Sequence, residues 1–246
     1  MPATAEILAE IAAQAGVVVM RHYQAGGTEA RLKSDRSPVT DADEEAEKLI
    51  LAALASAFPG VPVVAEEEAA AGRMAVVNDR FFLVDPLDGT KEFLSGNGEF
   101  TVNIAEIVNG VPVTGAVYAP ARERMFFGGV NGAFENGKAI AARPAPKDGL
   151  VAVGSRSHGD AATEDFLRRF EVKSFVGIGS SLKFCLVAAG EADIYARGGP
   201  TMEWDTAAGH AVLRAAGGKV ENWDGTLFRY GKPGFRNGAF VAYGRR

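Results

Sequence analysis

The sequence predicts a mixed chain, α+β in its first part and α/β in its second, folded as two lobes that join near residues 142–150. Three observations carry that expectation. Two stretches with apolar residues at helical spacing open the chain. Strand-like runs punctuated by Asn-Gly pairs fill residues 100–141 and read as an antiparallel meander. Beyond residue 150 strand-like and helix-like segments alternate, which is the pattern of an α/β lobe. The lobes are therefore expected at 1–141 and 142–246, with ARPAPKDG as the connecting segment.

Each element follows from local pattern. Ile7, Leu8, Ile11, Ala15, Val18 and Val19 make an amphipathic helix over 4–23. Thr40 has the character of an N-cap, with Asp43 at the third helical position, and the helix over 41–57 aligns Ala46, Leu49, Ile50, Ala53 and Leu54 on one face. VPVV at 61–64 is a short buried strand running into Glu66, Glu67 and Glu68, and FFLV at 81–84 is another, ending on Asp85. TVNIAEIV and VPVTGAVYA flank Asn109-Gly110, and Asn131-Gly132 and Asn136-Gly137 mark further turns. The second lobe should then read VAVGS as strand, a helix near 160–170, KSFVGIG, a helix near 180–189, ADIYA, and a helix opening at Trp204-Asp205.

Bulk composition excludes several classes. With 246 residues, 47% hydrophobic and 23% charged, the chain is long enough and apolar enough to bury a sizeable core. Its net charge of −5 and lack of a Lys/Arg run argue against nucleic-acid binding. Cys185 is the single cysteine, so no internal disulfide forms and a reducing compartment is expected. No apolar run reaches the ~18 residues of a membrane span, and no signal-peptide pattern opens the chain. A cytoplasmic protein without an integral membrane segment is the expectation.

The chemistry concentrates in FFLVDPLDGTKEF, residues 81–93, where Asp85 and Asp88 flank Pro86-Leu87 behind an apolar run. Pro86-Leu87 is expected to make a tight turn after the strand, with Gly89-Thr90 opening a short helix. Two like charges beside an apolar core are costly unless a cation joins them. On these residues alone the segment reads equally as an Asp-Pro turn followed by an Asp cap. Glu66 also follows a buried strand, where α/β ligand sites gather, although a Glu run is equally a solvated helix start. Asp205 opens a small-residue helix, where an Asp is ordinarily an N-cap, yet the Gly and Ala content permits close packing against the first lobe. Hard oxygen ligands without a Cys or His motif favour Mg²⁺ or Mn²⁺ over zinc.

DPLDGTKEF together with WDTAAGHAVLRAAGG resembles the paired signatures of the lithium-sensitive, Mg²⁺-dependent phosphomonoesterase superfamily that includes inositol monophosphatase. KSDRSPVTDAD, VVAEEE, SRSH and GSSLKFCLVAAG occur in the family's order, so the resemblance spans nearly the whole chain. KEF after DGT and the later GSSLKFC are similar to the 3′(2′),5′-bisphosphate nucleotidase branch of CysQ type. Inositol monophosphatases usually carry a Glu before the WD segment, whereas YARGGPTMEWD has Arg197 in that neighbourhood, and Glu203 stands too close to Trp204 to be assumed equivalent.

The resemblance implies a layered αβαβα sandwich of the inositol monophosphatase and fructose-bisphosphatase-like type, with two to three Mg²⁺ ions, Mn²⁺ being a substitute. Glu66, Asp85 and the Leu87 carbonyl would hold the first ion; Asp85, Asp88 and Asp205 would hold the second; a third would sit near Glu66, guarded by Lys33. Thr90 and Asp43 would orient and deprotonate the attacking water, although Asp43 on its own reads as well as a first-turn carboxylate complementing the helix dipole. Glu66, Leu87, Asp88, Gly89, Thr90 and Asp205 would also meet the substrate at the metals, and Ser155, His158, Gly179 and Lys183 would contact the remainder of a phosphorylated nucleotide.

The implied reaction is hydrolysis of adenosine 3′,5′-bisphosphate to AMP and phosphate, with 3′-phosphoadenylyl sulfate as a related substrate, by a monomer or homodimer. An inositol or other sugar monophosphatase on the same metal core is the alternative. A nucleotide-binding protein without phosphatase chemistry is the alternative of another class. Its only sequence support is GIGSSL at 177–182, a partial glycine fingerprint lacking the third Gly.

Overall fold

The computed structural model describes residues 3–24, 31–32, 38–155 and 160–245. In chain order the first part holds α1 (Thr4–Gln24), β1 (Arg31–Leu32), β2 (Pro38–Val39), α2 (Asp41–Ala57), β3 (Val63–Ala65), α3 (Glu66–Ala70), β4 (Arg80–Asp88) and α4 (Thr90–Leu94). The strands β5 (Thr101–Val108), β6 (Val111–Ala119), β7 (Arg124–Gly129), β8 (Gly132–Glu135) and β9 (Lys138–Ile140) follow. The second part comprises β10 (Leu150–Ser155), α5 (Ala161–Leu167), β11 (Val172–Ile178), α6 (Leu182–Ala188), β12 (Ile194–Arg197), β13 (Thr201–Met202), α7 (Trp204–Ala215), β14 (Lys219–Asn222), β15 (Arg236–Asn237) and β16 (Phe240–Tyr243).

Strands β3 to β9 form a seven-stranded sheet in sequence order, with β3 parallel to β4 and the rest antiparallel. The expected hairpin at Asn109-Gly110 is present: both residues have positive φ, 51° and 73°, as a two-residue turn matched to strand twist requires. The second sheet has five strands in the order β11-β10-β12-β16-β14, parallel from β11 to β12 and antiparallel beyond.

Alternation along the strands sorts side chains into layers. Phe82 and Val84 of β4 pack with Leu8, Ile11, Ala46 and Ile50 of α1 and α2. Their neighbours Phe81 and Leu83 face the other way, into a core shared with Phe184 of α6, Ala208 and Val212 of α7, and Tyr195 and Phe240 of the second sheet. Ala152, Ile194, Val241 and Tyr243 point to the outer side of that sheet and meet Phe166 of α5. The order is helices, sheet, helices, sheet, helix: a five-layer αβαβα arrangement in which α6 and α7 lie between the sheets. Close approach of α7 to the first sheet depends on Gly115 of β6, where a β-carbon would stand 2.6 Å from the Ala208 carbonyl oxygen.

One local expectation is corrected. The segment after Val84 is not a tight turn, because β4 continues through Asp88. Asp85 pairs with Asn103 and Asp88 with Thr101, so three steps on β4 oppose two on β5. This is a β-bulge. Residues three apart on a regular strand point to opposite faces; the extra residue turns Asp88 toward the side that Asp85 faces.

Candidate active site

Helices α3, α4, α6 and α7 and strands β4, β10, β12 and β13 converge on one cavity of about 300 Å³, lined among others by Glu66, Asp85, Leu87, Asp88 and Asp205. Glu66 opens α3, where β3 ends beside β4. Asp85 and Asp88 come from the bulged end of β4. Asp205 is the second residue of α7; Glu203, not Asp205, occupies the N-cap position. The Asp205 carboxylate accepts the Met202 N–H at 2.8 Å.

The electrostatics of this group are unfavourable for the protein alone. Asp85 is only 2% exposed and accepts the Leu87 N–H at 3.0 Å. Burial, then the charges of Glu66, Asp88 and Asp205, raise its carboxyl well above the usual carboxylate range. Asp205 is raised in the same way, by burial, then Asp88 and Glu66. Asp88 is raised by burial against the opposing effects of Lys183 and the Ser181 hydrogen bonds. Among the described residues neither Asp85 nor Asp205 has a cationic side chain within ion-pair distance.

No three His, Cys, Asp or Glu side chains among the described residues already close into a coordination cage; the acids surround open space. Asp85, Asp88 and Asp205, raised by burial and crowded beside Glu66, are all hard oxygen donors and fit a small hard divalent ion such as Mg²⁺.

Thr90 and Asp43 meet although they lie on α4 and α2. The Thr90 hydroxyl stands 3.5 Å from Asp43 Oδ1 and 3.3 Å from the Leu87 carbonyl oxygen. Asp43 is buried, and its Oδ2 accepts both the N–H and the hydroxyl of Thr40, at 2.8 and 2.6 Å. Gly89 precedes α4 with φ 92°, a left-handed conformation, and a β-carbon there would sit 3.1 Å from the Glu99 carbonyl oxygen.

Residues beyond 150 supply further lining, among them Ser155, Ser181, Lys183, Tyr195 and Arg197. Lys183 is buried, contrary to the ordinary expectation for a helical lysine. Its ammonium donates to the carbonyl oxygens of Ser180 and, at 3.4 Å, Ile178. It also stands 5.5 Å from the Tyr195 ring centroid. Burial lowers its pKa to about 8, with Asp88 acting in the opposite sense. Gly179 lies behind the wall rather than on it: its N–H donates to Glu99 Oε2 at 2.8 Å, and a β-carbon would clash with the Glu99 backbone. His158 and Lys33 lie outside the described residues.

Sequence reading passed over two supporting residues. Glu47 on α2 is 3% exposed, and its carboxylate accepts the N–H groups of Glu67 and Glu68 at 2.8 and 2.9 Å, anchoring the turn that carries Glu66. A Glu one position past Ala46 on the face shared with Ile50 and Leu54 was the available signal. Glu99, which pairs with Arg122 at 2.9 Å and holds Gly179, lies in a Gly-rich loop with no periodicity to mark it. Glu203 is fully buried and turned away from the cavity, accepting from the N–H groups of Gly231 and Lys232.

Comparison with known proteins agrees with this geometry. The profile of the inositol monophosphatase family matches residues 3–243. A protein of Salmonella typhimurium named 3′(2′),5′-bisphosphate nucleotidase CysQ is 43% identical over 205 residues, 82% of this chain and 83% of the relative. The namesake from Escherichia coli strain K12 is 42% identical over 203 residues, 80% of this chain and 82% of the relative. The crystal structure of CysQ from Bacteroides thetaiotaomicron superposes with a TM-score of 0.83 at 35% identity, covering 98% of this chain and 97% of that one. An inositol monophosphatase from Thermotoga maritima superposes at 0.80 with 26% identity, covering 96% of this chain and 89% of that one. With a match across nearly its whole length and a site of this composition, the chain belongs to the inositol monophosphatase family.

Proposed function

We propose that this protein is a Mg²⁺-dependent 3′(2′),5′-bisphosphate nucleotidase that hydrolyses the 3′-phosphate of adenosine 3′,5′-bisphosphate to give AMP and phosphate, and acts also on 3′-phosphoadenylyl sulfate. One observation carries the reading: Glu66, Asp85, Asp88 and Asp205 line the same cavity as two cations, Lys183 and Arg197. An acidic set alone suits metal binding; the added cations suit a substrate with negative charge beyond the reacting phosphate.

Glu66, Asp85 and the Leu87 carbonyl would hold one Mg²⁺, Asp85, Asp88 and Asp205 another, and Glu66 would adjoin a weaker third, with Mn²⁺ able to replace Mg²⁺. Bound there, the ions neutralise phosphate charge, acidify water and stabilise the leaving oxygen. The protein's own part is positioning and proton transfer. A water within reach of Thr90 donates to the hydroxyl oxygen while the hydroxyl proton moves to Asp43, which is kept oriented by Thr40. The water oxygen bonds phosphorus as the P–O3′ bond breaks, the alkoxide released takes a proton from solvent, and Asp43 returns its proton to solvent. Gly89 supplies the left-handed conformation, φ 92°, that turns the chain into α4 at Thr90 beside the Glu99 carbonyl. Ser155, His158 and Lys183 contact the nucleotide, while Gly179 shapes their wall through Glu99. Among the described residues no helix is long and apolar enough to cross a membrane; the protein works in the cytoplasm, a setting consistent with one buried, unpaired cysteine.

The test is phosphate release with Mg²⁺ from adenosine 3′,5′-bisphosphate, 3′-phosphoadenylyl sulfate and inositol 1-phosphate in parallel, with a chelator control. The nucleotides should be turned over fastest and the chelator should abolish release. Faster release from inositol 1-phosphate would overturn the substrate assignment.

A further inference from the structure

Asp205 is held on one side by the Met202 N–H, and Met202 belongs to β13, a strand of only two residues. β13 pairs antiparallel with the equally short β15, Thr201 opposite Asn237 and Met202 opposite Arg236. A two-stranded ribbon of this length is marginal on backbone pairing alone. The side chain of Asn237 reinforces it. Its Nδ2 lies 2.8 Å from the Met202 carbonyl oxygen, 3.1 Å from the Thr201 hydroxyl and 3.1 Å from the Thr206 hydroxyl. The Met202 carbonyl can only accept, so it fixes which way round the amide sits, and the two N–H groups of the amide serve three acceptors.

This amide joins both flanks of Asp205: Met202 precedes it, and Thr206 follows it in the first turn of α7. The Thr206 hydroxyl is itself fixed, accepting from the Tyr230 hydroxyl at 3.3 Å and lying 3.2 Å from the Glu203 carbonyl oxygen. The Glu203 N–H continues the ribbon by donating to the Phe235 carbonyl oxygen at 2.8 Å. Thr201 and Thr206 line the cavity, whereas Asn237, 4% exposed, is not part of the lining. Its Oδ1 is buried and has no hydrogen-bond partner among the described residues. An apolar side chain would avoid that unmet acceptor, so what accounts for an amide at this position is the set of groups that Nδ2 holds.

We infer that Asn237 is a positioning residue: it clamps the Thr201–Met202 strand to the start of α7 and so sets where the Asp205 carboxylate points. The inference rests on the reading of Asp205 as a Mg²⁺ ligand. With Met202 fixed, its N–H holds Oδ2 of Asp205 and limits rotation of the carboxylate. Without the amide the Met202 carbonyl loses this donor, the short ribbon is free to shift, and the carboxylate is no longer oriented before an ion arrives.

The experiment titrates Mg²⁺ by calorimetry into wild type, Asn237→Leu, Asn237→Ala and Phe166→Leu, with urea unfolding of the same proteins without Mg²⁺. Asn237→Leu keeps nearly the same volume and loses the donors; Asn237→Ala loses both. Phe166→Leu trims a side chain packed with Ala152, Ile194 and Val241 on the outer side of the second sheet, and controls for lost stability alone. The Mg²⁺ dissociation constant should rise about 10-fold in both Asn237 variants, the lower end for support of a metal ligand because a backbone segment intervenes. It should stay at the wild-type value in Phe166→Leu. In turnover of adenosine 3′,5′-bisphosphate the half-saturating Mg²⁺ should rise by the same factor, while kcat at saturating Mg²⁺ and the nucleotide KM hold. Wild-type Mg²⁺ affinity in either folded Asn237 variant, or equal weakening in Phe166→Leu, overturns this inference alone. A wild-type protein that binds no Mg²⁺ overturns the metal reading together with it.

Discussion

The Asp88 carboxylate accepts both the backbone N–H and the hydroxyl of Ser181, at 2.7 and 2.9 Å, across 93 positions of sequence. The same hydroxyl lies 3.0 Å from the Asp205 carbonyl oxygen. Ser181 thus ties the bulged end of β4 to the start of α7, and the two acids that it touches come from different sheets' worth of chain. Removing the hydroxyl in Ser181→Ala leaves the N–H bond but frees Asp88 on one side. Supporting partners of this kind contribute about 10- to 100-fold to metal affinity. A loss in that range should appear in a Mg²⁺ titration by calorimetry, and affinity equal to wild type would refute the link.

Glu47 should matter to metal binding without touching a metal. Its carboxylate holds the N–H groups of Glu67 and Glu68. Glu47→Ala leaves both donors unpaired in a partly buried setting, a cost of ~1–3 kcal/mol for a desolvated group. The variant should unfold at lower urea and need more Mg²⁺ for half-maximal activity, with Glu47→Gln intermediate because it keeps one acceptor. Loss of stability with an unaltered Mg²⁺ requirement would leave Glu47 a purely structural residue.

Packing at Gly115 should reach the active site. A β-carbon there lies 2.6 Å from the Ala208 carbonyl oxygen and 2.8 Å from Ala211, so α7 has to move outward. Overpacking of this kind costs ~1–3 kcal/mol. Because α7 also carries Asp205, Gly115→Ala should lower the unfolding midpoint and weaken Mg²⁺ binding together. Equilibrium unfolding with and without Mg²⁺ measures both; a destabilised variant with wild-type metal affinity would show that α7 does not set the position of Asp205.

His210 should make the fold acid-sensitive. It is buried on α7, 3.1 Å from the Tyr230 hydroxyl, and burial, then the Arg214 charge, depress its pKa to about 3. The ordinary value is 6.5, so the unfolded chain binds the proton more readily than the folded one. The neutral ring's contribution is complete above pH ~6.5 and is lost as pH falls toward 3, reaching ~2 kcal/mol by pH ~5. His210→Gln should lose less stability than wild type between pH ~7 and ~5 in urea unfolding. Equal losses would show that His210 is not the group responsible.

How far the site was legible varied from residue to residue. Asp85 and Asp88 stand out because carboxylates behind FFLV conflict with their apolar neighbours. Glu66 by itself reads equally as a solvated helix start and Asp205 as an N-cap, and both become legible through the VVAEEE and WDTAAGHAVLRAAGG resemblance. The bulge was not. Nothing in DPLD by itself distinguishes a turn from a strand with one extra residue, because the difference lies in pairing with Asn103 and Thr101 on β5. Lys183 reads as a solvated helix residue until α6 is placed between two sheets, where no face of it is free. Glu47 and Glu99 act on backbone N–H groups about 20 and 80 positions away, and local periodicity carries no information at that range.

By itself the sequence determined the elements, their alternation, and the residue types able to hold a hard cation and a phosphate. Those properties are local, governed by hydrophobic period, turn chemistry and the number of oxygens on a side chain. Only the tertiary structure decided which carboxylates share a cavity, that Arg197 faces them with no carboxylate partner among the described residues, and that Gly115 admits α7 close enough to deliver Asp205. Convergence of this sort depends on the stacking of two sheets about a shared helical layer. The burial that raises the carboxyls, and makes a cation necessary, comes into being only when those layers close.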